Sequence, residues 1–484
     1  MTEVASAPPS PGPPNRSLGL IGLCIGVFMF TLDASIVNVA MPTLVKAFDA
    51  TFAAVQWVVL SYLLVATALV MAAAHLGDRF GRRRSYLFGL AVFTIGSLLC
   101  GLSTSIATLV ACRVVQGLGA VFVSALGAAI VGEMFGPHER GRALGTIGSA
   151  VLLGVALGPS IGGFIIELAG WRWMFLVNIP VGILAFFAVR RFVPESSAQP
   201  SDHPFDWLGT VLAAVLLTAF ALGMTWGQRD GFTSTLVLSL LAFAVVALIL
   251  FIVVESRAAG PILDLRLLRN KAFASGLLMS GMVFLVLGGT GFLMPFFLEV
   301  VSQYSIGRVG MLMAISPVLG GVTAPFGGML SDRLGSRWVA FSGLALIAVG
   351  CFSFGSIDAH VTVLGFALRV APFGIGMGLF NAANNSSVLN AVSRERLGIA
   401  SALLSLMRTL GQTTGVPVIA SIFALSALGY AGNAQHEALL KLSSESLVRG
   451  IHVAFVSAGL IVMVGLVGGV WEYLRRAPAA RSTS

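Results

Sequence analysis

Long apolar runs separated by short polar knots set the pattern of this chain. A bilayer-spanning helix needs about 20 mostly apolar residues. Fourteen runs meet that length, over residues 18–41, 53–74, 85–104, 107–132, 143–168, 173–192, 206–226, 234–255, 272–298, 308–330, 338–357, 361–390, 398–426 and 450–474. The pattern predicts an all-α polytopic membrane protein with an even number of spans.

Composition narrows the class. Of 484 residues, 57% are hydrophobic and 10% charged, with a mean hydropathy of +0.95, which excludes a soluble globular domain. The formal charge of +9 would suggest a nucleic-acid partner in a soluble chain. Here the basic residues sit in loops instead of an amphipathic patch, so they report topology and no nucleic-acid partner is expected. Alternate loops and both tails carry twenty Lys and Arg (from Arg16, Arg79, Arg82, Arg83 and Arg84 through Arg475, Arg476 and Arg481), against six on the other side (Lys46, Arg172, Arg229, Arg308, Lys441 and Arg449). The asymmetry predicts that both termini are cytoplasmic. Arginine outnumbers lysine 26 to 3, a bias of high-GC bacteria, so the expected location is a bacterial inner membrane.

Cys24, Cys100, Cys112 and Cys351 all lie in apolar runs, with no disulfide or metal spacing. The six histidines form no i, i+3 or i, i+4 pair, and the glycine-rich segments lack a P-loop lysine. Neither a metal site, an ATP site nor an enzyme's constellation is expected. Residues 1–17 are proline-rich without an apolar h-region and read as a disordered tail; residues 475–484 form a second one. The loop at 429–449 contains a short amphipathic stretch expected to lie on the outer membrane surface.

The chain repeats. Asp78 and Asp332 are 254 residues apart, Arg113 and Arg369 are 256 apart, and Glu139-Arg140 recurs at the same interval as Glu395-Arg396. Gly154-x-x-x-Gly158-Pro159 is echoed by Gly411-x-x-x-Gly415-Val416-Pro417. Two parallel six-helix bundles follow, over 18–192 and 272–474, with two unmatched inserted helices at 206–255.

Three constellations carry chemistry. The first is the charged hairpin Gly77-Asp78-Arg79-Phe80-Gly81-Arg82-Arg83-Arg84 between spans 2 and 3, repeated more weakly at Ser331-Asp332-Arg333-Leu334-Gly335. An acid, arginines and a glycine turn between two spans describe a tight surface hinge in which Asp78 bridges helix ends, with Glu133 at the end of span 4 pairing to its arginines. The second is Gly154, Gly158, Pro159, Gly162 and Gly163 in span 5, whose glycines one turn apart permit very close helix contact. A generic small-residue face would explain the glycines but not Pro159 among them. The third is Asp33, an acid within hydrocarbon depth, costly unless paired, protonated or facing water; a structural anchor is the alternative reading. At about 1.5 Å per residue, Asp33 and Arg113 lie at matching depths, roughly 13 and 10 Å from the same surface, and can meet.

These motifs together resemble those of the major facilitator superfamily, and specifically its fourteen-span drug:proton antiporters. Asp78 to Arg83 match the loop signature, although Ala74 stands where the family usually has Gly; Leu32 to Pro42 resemble the span 1 signature; Arg113, Gln116 and Gly117 match span 4; and the span 5 pattern is the one carried by antiporters. The resemblance implies a major facilitator fold, two six-helix bundles with two extra helices. It further implies a monomeric exporter of small lipophilic drugs or antibiotics, embedded in membrane lipid, exchanging protons through Asp33 and Arg113 and using no cofactor beyond the proton gradient. A dedicated exporter of an endogenous metabolite, or a facilitator or importer of the same fold, remains open. Asn38, Gln56, Trp57, Tyr62, Gln116, Asn381, Asn384 and Asn385 are candidate cavity-lining residues, since polar groups in spans seek the protein interior. Arg369 and Arg408 lack an acid in their own spans, and Glu299 sits near the end of span 9, where it is expected to be solvated.

Overall fold

A computed structural model describes residues 16–135, 137–195, 206–257, 270–392, 397–430 and 442–476. Among the described residues, fourteen helices are long and apolar enough to cross a membrane. They are α1 (Arg16–Phe48), α2 (Phe52–Phe80), α3 (Arg82–Gly101), α4 (Ile106–Met134), α5 (Pro137–Ala169), α6 (Trp173–Phe192), α7 (Trp207–Asp230), α8 (Thr235–Arg257), α9 (Lys271–Val301), α10 (Ile306–Leu334), α11 (Ser336–Phe354), α12 (Val363–Asn390), α13 (Leu397–Tyr430) and α14 (Ser444–Arg476). Side-chain caps fix where three of them begin. Thr51 accepts from Ala54 N at the start of α2, Ser105 and Thr108 form a capping box on α4, and Thr362 accepts from Gly365 N on α12.

The two hairpin loops share one backbone device. Gly81 and Gly335 stand between α2–α3 and α10–α11 with φ of +94° and +88°, a region where side chains strain, so one glycine suffices to reverse the chain. Of the tails expected over 1–17 and 475–484, Arg16 and Ser17 belong to α1 and Arg475 and Arg476 to α14; residues 1–15 and 477–484, and 431–441 of the surface stretch, lie outside the described residues.

Helices α1–α6 pack as one bundle and α9–α14 as another. The inserted α7 and α8 pack on each other, and α7 fits the seam between the bundles against α2 and α13, with Ser421 Oγ donating to Met224 O at 3.1 Å. Helix α8 turns Leu238, Val245 and Ile249 outward, where only lipid can cover them.

The two ends of the bundles differ. On the face away from the termini, one apolar core runs through both bundles, with Phe52 packing on Phe292 and Phe296 at ring-centroid distances of 5.0 Å and Phe423 closing the group. On the face bearing the termini the core divides. One part lies within the first bundle around Tyr86, Phe93 and Val131, the other within the second around Phe273, Leu277 and Leu404. Side-chain contacts between the bundles gather on the far half, from Phe52 on Phe292 and Phe296 to Lys46 with Glu299 and Ser160 with Gly310, the arrangement of a form open on the terminal face.

Candidate functional site: a buried acid network and the helix that carries it

Helix α1 positions three interactions on three sides. Its middle carries Asp33, 1% exposed, aimed into the first bundle. Arg113 Nη1 of α4 lies 2.5 Å from Asp33 Oδ2, and the opposite oxygen, Oδ1, accepts from Gln116 Nε2 at 2.9 Å and from Asn178 Nδ2 of α6 at 2.8 Å. Ser97 Oγ of α3 takes a bond from each of the same two amides, at 2.6 and 2.9 Å. Arg113 is held in turn: its Nε donates to Val58 O at 3.0 Å, its Nη1 to Gln116 Oε1 at 2.6 Å, and its guanidinium lies 4.2 Å from the centroid of the Tyr62 ring. Donors from α4 and α6, held in turn by α2 and α3, thus satisfy one buried carboxylate on α1, the arrangement that makes a buried charge tolerable. Asp33 and Arg113 meet; Asn178 and Ser97 escaped the sequence reading. Asn178 is the amide of an apolar span, which was the available signal.

The second side of α1 meets the glycine face of α5. A Cβ on Gly158 would lie 2.5 Å from Ser35 Cβ, one on Gly162 3.0 Å from Ile36, and one on Gly154 would strike Thr31. Ser35 Oγ donates to Val155 O at 3.1 Å. Pro159 and Gly163 face the other bundle: the Pro159 carbonyl abuts Gly310, Gly163 abuts the Ile306 carbonyl, and Ser160 Oγ donates to Gly310 O at 3.1 Å. The span 5 motif is therefore wedged between α1 and α10.

The third interaction is at the far end of α1, where Lys46 Nζ lies 3.0 Å from Glu299 Oε1 of α9. Glu299 is not solvated as the sequence suggested. It sits in a π-helical turn over Phe297–Val301, mostly covered, and pairs across the two bundles.

At the terminal face, Arg82 at the start of α3 donates Nε to Asp78 Oδ1 at 2.7 Å and Nη1 to Glu133 Oε1 at 2.9 Å, tying the ends of α2, α3 and α4. Arg79 lies over the Phe80 ring, 5.7 Å from its centroid. Asp332 and Arg333 are exposed and make no ion pair among the described residues, so the second hairpin keeps the turn without the clamp. The side chains of Arg140 and Arg142 fall outside the described residues.

The cavity candidates separate into two groups. Tyr62 and Gln116 belong to the Asp33 network, Gln56 is fully buried, and Asn384 donates to Gly276 O at 3.2 Å beside a small cavity within the second bundle, so these four lie inside bundles. Asn38, Trp57, Asn381 and Asn385 are half-buried. Among the described residues no cluster of His, Cys, Asp and Glu could hold a metal.

The sequence profile described as the Major Facilitator Superfamily matches residues 23–289 and 276–484. The riboflavin transporter RibZ of Clostridioides difficile (strain 630) is 34% identical over 410 residues, 84% of this chain and 88% of that protein. The multidrug resistance protein Stp of Mycobacterium tuberculosis (strain ATCC 25618 / H37Rv) is 35% identical over 410 residues, covering 84% of this chain and 76% of it. Among solved structures, a bacterial homolog of the human lysosomal transporter Spinster in an inward-facing conformation superposes with a TM-score of 0.68 at 16% identity, over 96% of this chain and 98% of that one. The xylose transporter XylE from E. coli, in a partially occluded inward-open conformation, gives 0.61 at 16% over 95% and 98%. At those identities the likeness is one of fold.

Proposed function

The chain belongs to the major facilitator superfamily, and from that premise we propose that it is a proton-coupled exporter of small lipophilic compounds in a bacterial inner membrane, with both termini cytoplasmic. The observation that carries this reading is the buried Asp33–Arg113 pair beside a seam whose contacts between the bundles gather on the far half. An acid buried in a membrane protein and held by a partner that can release it is suited to carrying a proton.

The cycle follows from α1. With the terminal face open, Arg113, Gln116 and Asn178 occupy the Asp33 carboxylate with donors and keep it buried. For the far face to open, Lys46 and Glu299 separate and α1 shifts against α5, where Ser35 and Thr31 have almost no clearance over Gly158 and Gly154. Movement of α1 against α4 and α6 loosens the donors around Asp33, and a proton entering from the far face takes their place. Return to the terminal-open form restores the donors and expels the proton to the cytoplasm. Rocking of two rigid bundles around a central site is the known style of such folds.

The match to a riboflavin transporter favours, as a second reading, a dedicated carrier of one metabolite. Proteoliposomes with an imposed pH gradient and a panel that includes cationic dyes, tetracycline-type antibiotics and riboflavin test both. Uphill movement of several unrelated compounds, abolished when the gradient is collapsed, supports the exporter. Gradient-independent equilibration of any of them would overturn proton coupling.

A further inference from the structure

The second bundle contains a cation that the proton machinery does not use. Arg408, on α13, has no carboxylate within ion-pair distance among the described residues. Its Nη2 donates to Asn385 Oδ1 on α12, its guanidinium lies 5.3 Å from the centroid of the Phe284 ring on α9, and its buried Nε has no partner. Its position is also defined. Thr67 Oγ1 of α2 and Thr413 Oγ1 of α13 are 2.9 Å apart across the two bundles, marking where the contacts of the far half begin. Arg408 is five residues toward the terminal face from Thr413, about 7.5 Å along the axis. It therefore lies at the depth of the terminal half of the seam, between α9, α12 and α13, and is itself half-buried.

We propose that Arg408, oriented by Asn385 and Phe284, is the anion-recognising element of the substrate cavity, so that this chain accepts organic anions or zwitterions with an apolar body and one carboxylate, sulfonate or phosphate group. Holding α12 to α13 needs only one neutral donor; an unpaired guanidinium at hydrocarbon depth is a cost that such a role leaves unexplained. The buried Nε is left with a donor that an anion seated against the guanidinium would satisfy, and the Phe284 ring beside it fixes the plane of the group. Arg369 differs: its Nη1 is taken up by its own helix, donating to Gly365 O at 3.1 Å. The inference names the substrate class for the cavity of the proposed exporter and rests on that reading only for the direction of movement.

Two xanthene dyes of opposite charge, fluorescein and rhodamine 123, separate charge recognition from apolar binding. Their affinity for the purified protein in phosphatidylcholine nanodiscs is read by fluorescence anisotropy, without any gradient, so a failure of export and a failure of anion recognition are told apart. The wild type is expected to bind fluorescein. Arg408→Gln should weaken fluorescein by at least about tenfold while leaving rhodamine 123 within about threefold. Arg408→Lys should recover part of the loss, and Asn385→Ala, which keeps the charge and loses its orientation, should weaken fluorescein severalfold. Should Arg408→Gln not yield folded protein, Asn385→Ala carries the same test. Absence of fluorescein binding, equal loss of both dyes, or no loss of either in the Arg408 and Asn385 variants would overturn the proposal. Displacement of fluorescein by phosphatidylglycerol in the nanodisc would assign the site to a lipid headgroup and overturn it as well.

Discussion

Lys46 and Glu299 tie the last turn of α1 to the π-turn that ends α9, with 3.0 Å between Nζ and Oε1, and so join the two bundles on the face away from the termini. Lys46 is 61% exposed and Glu299 12%, so the pair is half-screened and contributes at most about 1 kcal/mol. That is enough to bias two conformations that lie close in energy. Glu299→Gln is expected to shift the population toward the form open on the far face by no more than about fivefold. Spin-label distances across that face would report the shift. The charge-swapped pair Lys46→Glu with Glu299→Lys should return the distribution toward wild type, and identical distributions in all three proteins would rule the latch out.

Gly158 meets Ser35 so closely that a Cβ there would lie only 2.5 Å from Ser35 Cβ, beside the Leu32 carbonyl, leaving no room for a side chain. Gly158→Leu should hold α5 away from α1, sparing membrane insertion but abolishing coupled export through arrest or leak. Because Gly163 touches α10 instead of α1, Gly163→Leu should fail differently, by parting the bundles at the seal and raising passive leak. Dye efflux and passive leak, compared at matched protein level, distinguish these outcomes; wild-type efflux in Gly158→Leu would count decisively against the close-contact argument.

The fourteen spans were legible because a bilayer imposes a length that a run of apolar residues must meet. The pairing of Asp33 with Arg113 was legible for a related reason: depth in a span can be counted. Which way a polar side chain turns at that depth cannot. Tyr62 and Gln116 looked like cavity wall and lie inside the first bundle, since burial against protein and exposure to an aqueous cavity both satisfy a polar group. Asn178 completes the Asp33 network from 145 residues away, a closeness that no spacing encodes. Glu299 was misread because a place near the end of a span suggests water, whereas the partner that covers it, Lys46, comes from the other bundle 253 residues away.

Arg82 is shared between Asp78 at 2.7 Å and Glu133 at 2.9 Å, all three partly exposed, so this knot at the terminal face opens at modest cost. Asp78→Asn is expected to slow interconversion between the two open forms while changing ligand affinity by less than about threefold. The second hairpin, where Asp332 has no ion pair among the described residues, should tolerate Asp332→Asn with a much smaller effect on rate. Single-molecule distance trajectories between labels on the two terminal faces measure both. Equal slowing by the two variants would show that the turn, and not the clamp, governs the motion.

Asp33 and Arg113 make the mechanism testable by energetics as well as by transport. Both are 1% exposed, and each is satisfied chiefly by the other and by Gln116 and Asn178. Removing the cation alone strands a carboxylate in a dry bundle, so Arg113→Ala should destabilise the protein by roughly 3–5 kcal/mol. Removing the acid's charge as well should relieve much of that penalty, making Asp33→Asn with Arg113→Ala more stable than Arg113→Ala alone, a coupling that a thermal unfolding series in detergent would show. Asn178→Ala deletes one of the three donors to the carboxylate and should cost about 1–3 kcal/mol while leaving the acid able to exchange protons. Asp33→Asn keeps the shape and cannot carry a proton, so it should bind ligand and lose uphill export; Asp33→Glu should keep part of the activity with an altered pH profile, because the carboxyl survives at a changed distance from Arg113. The direct readout is proton release on ligand addition to the solubilised protein, measured across pH with a compound found by the liposome panel. The wild type should release protons and Asp33→Asn should not. Equal release by both would move the coupling proton to another acid, with Glu299 and Glu133 next to be tested.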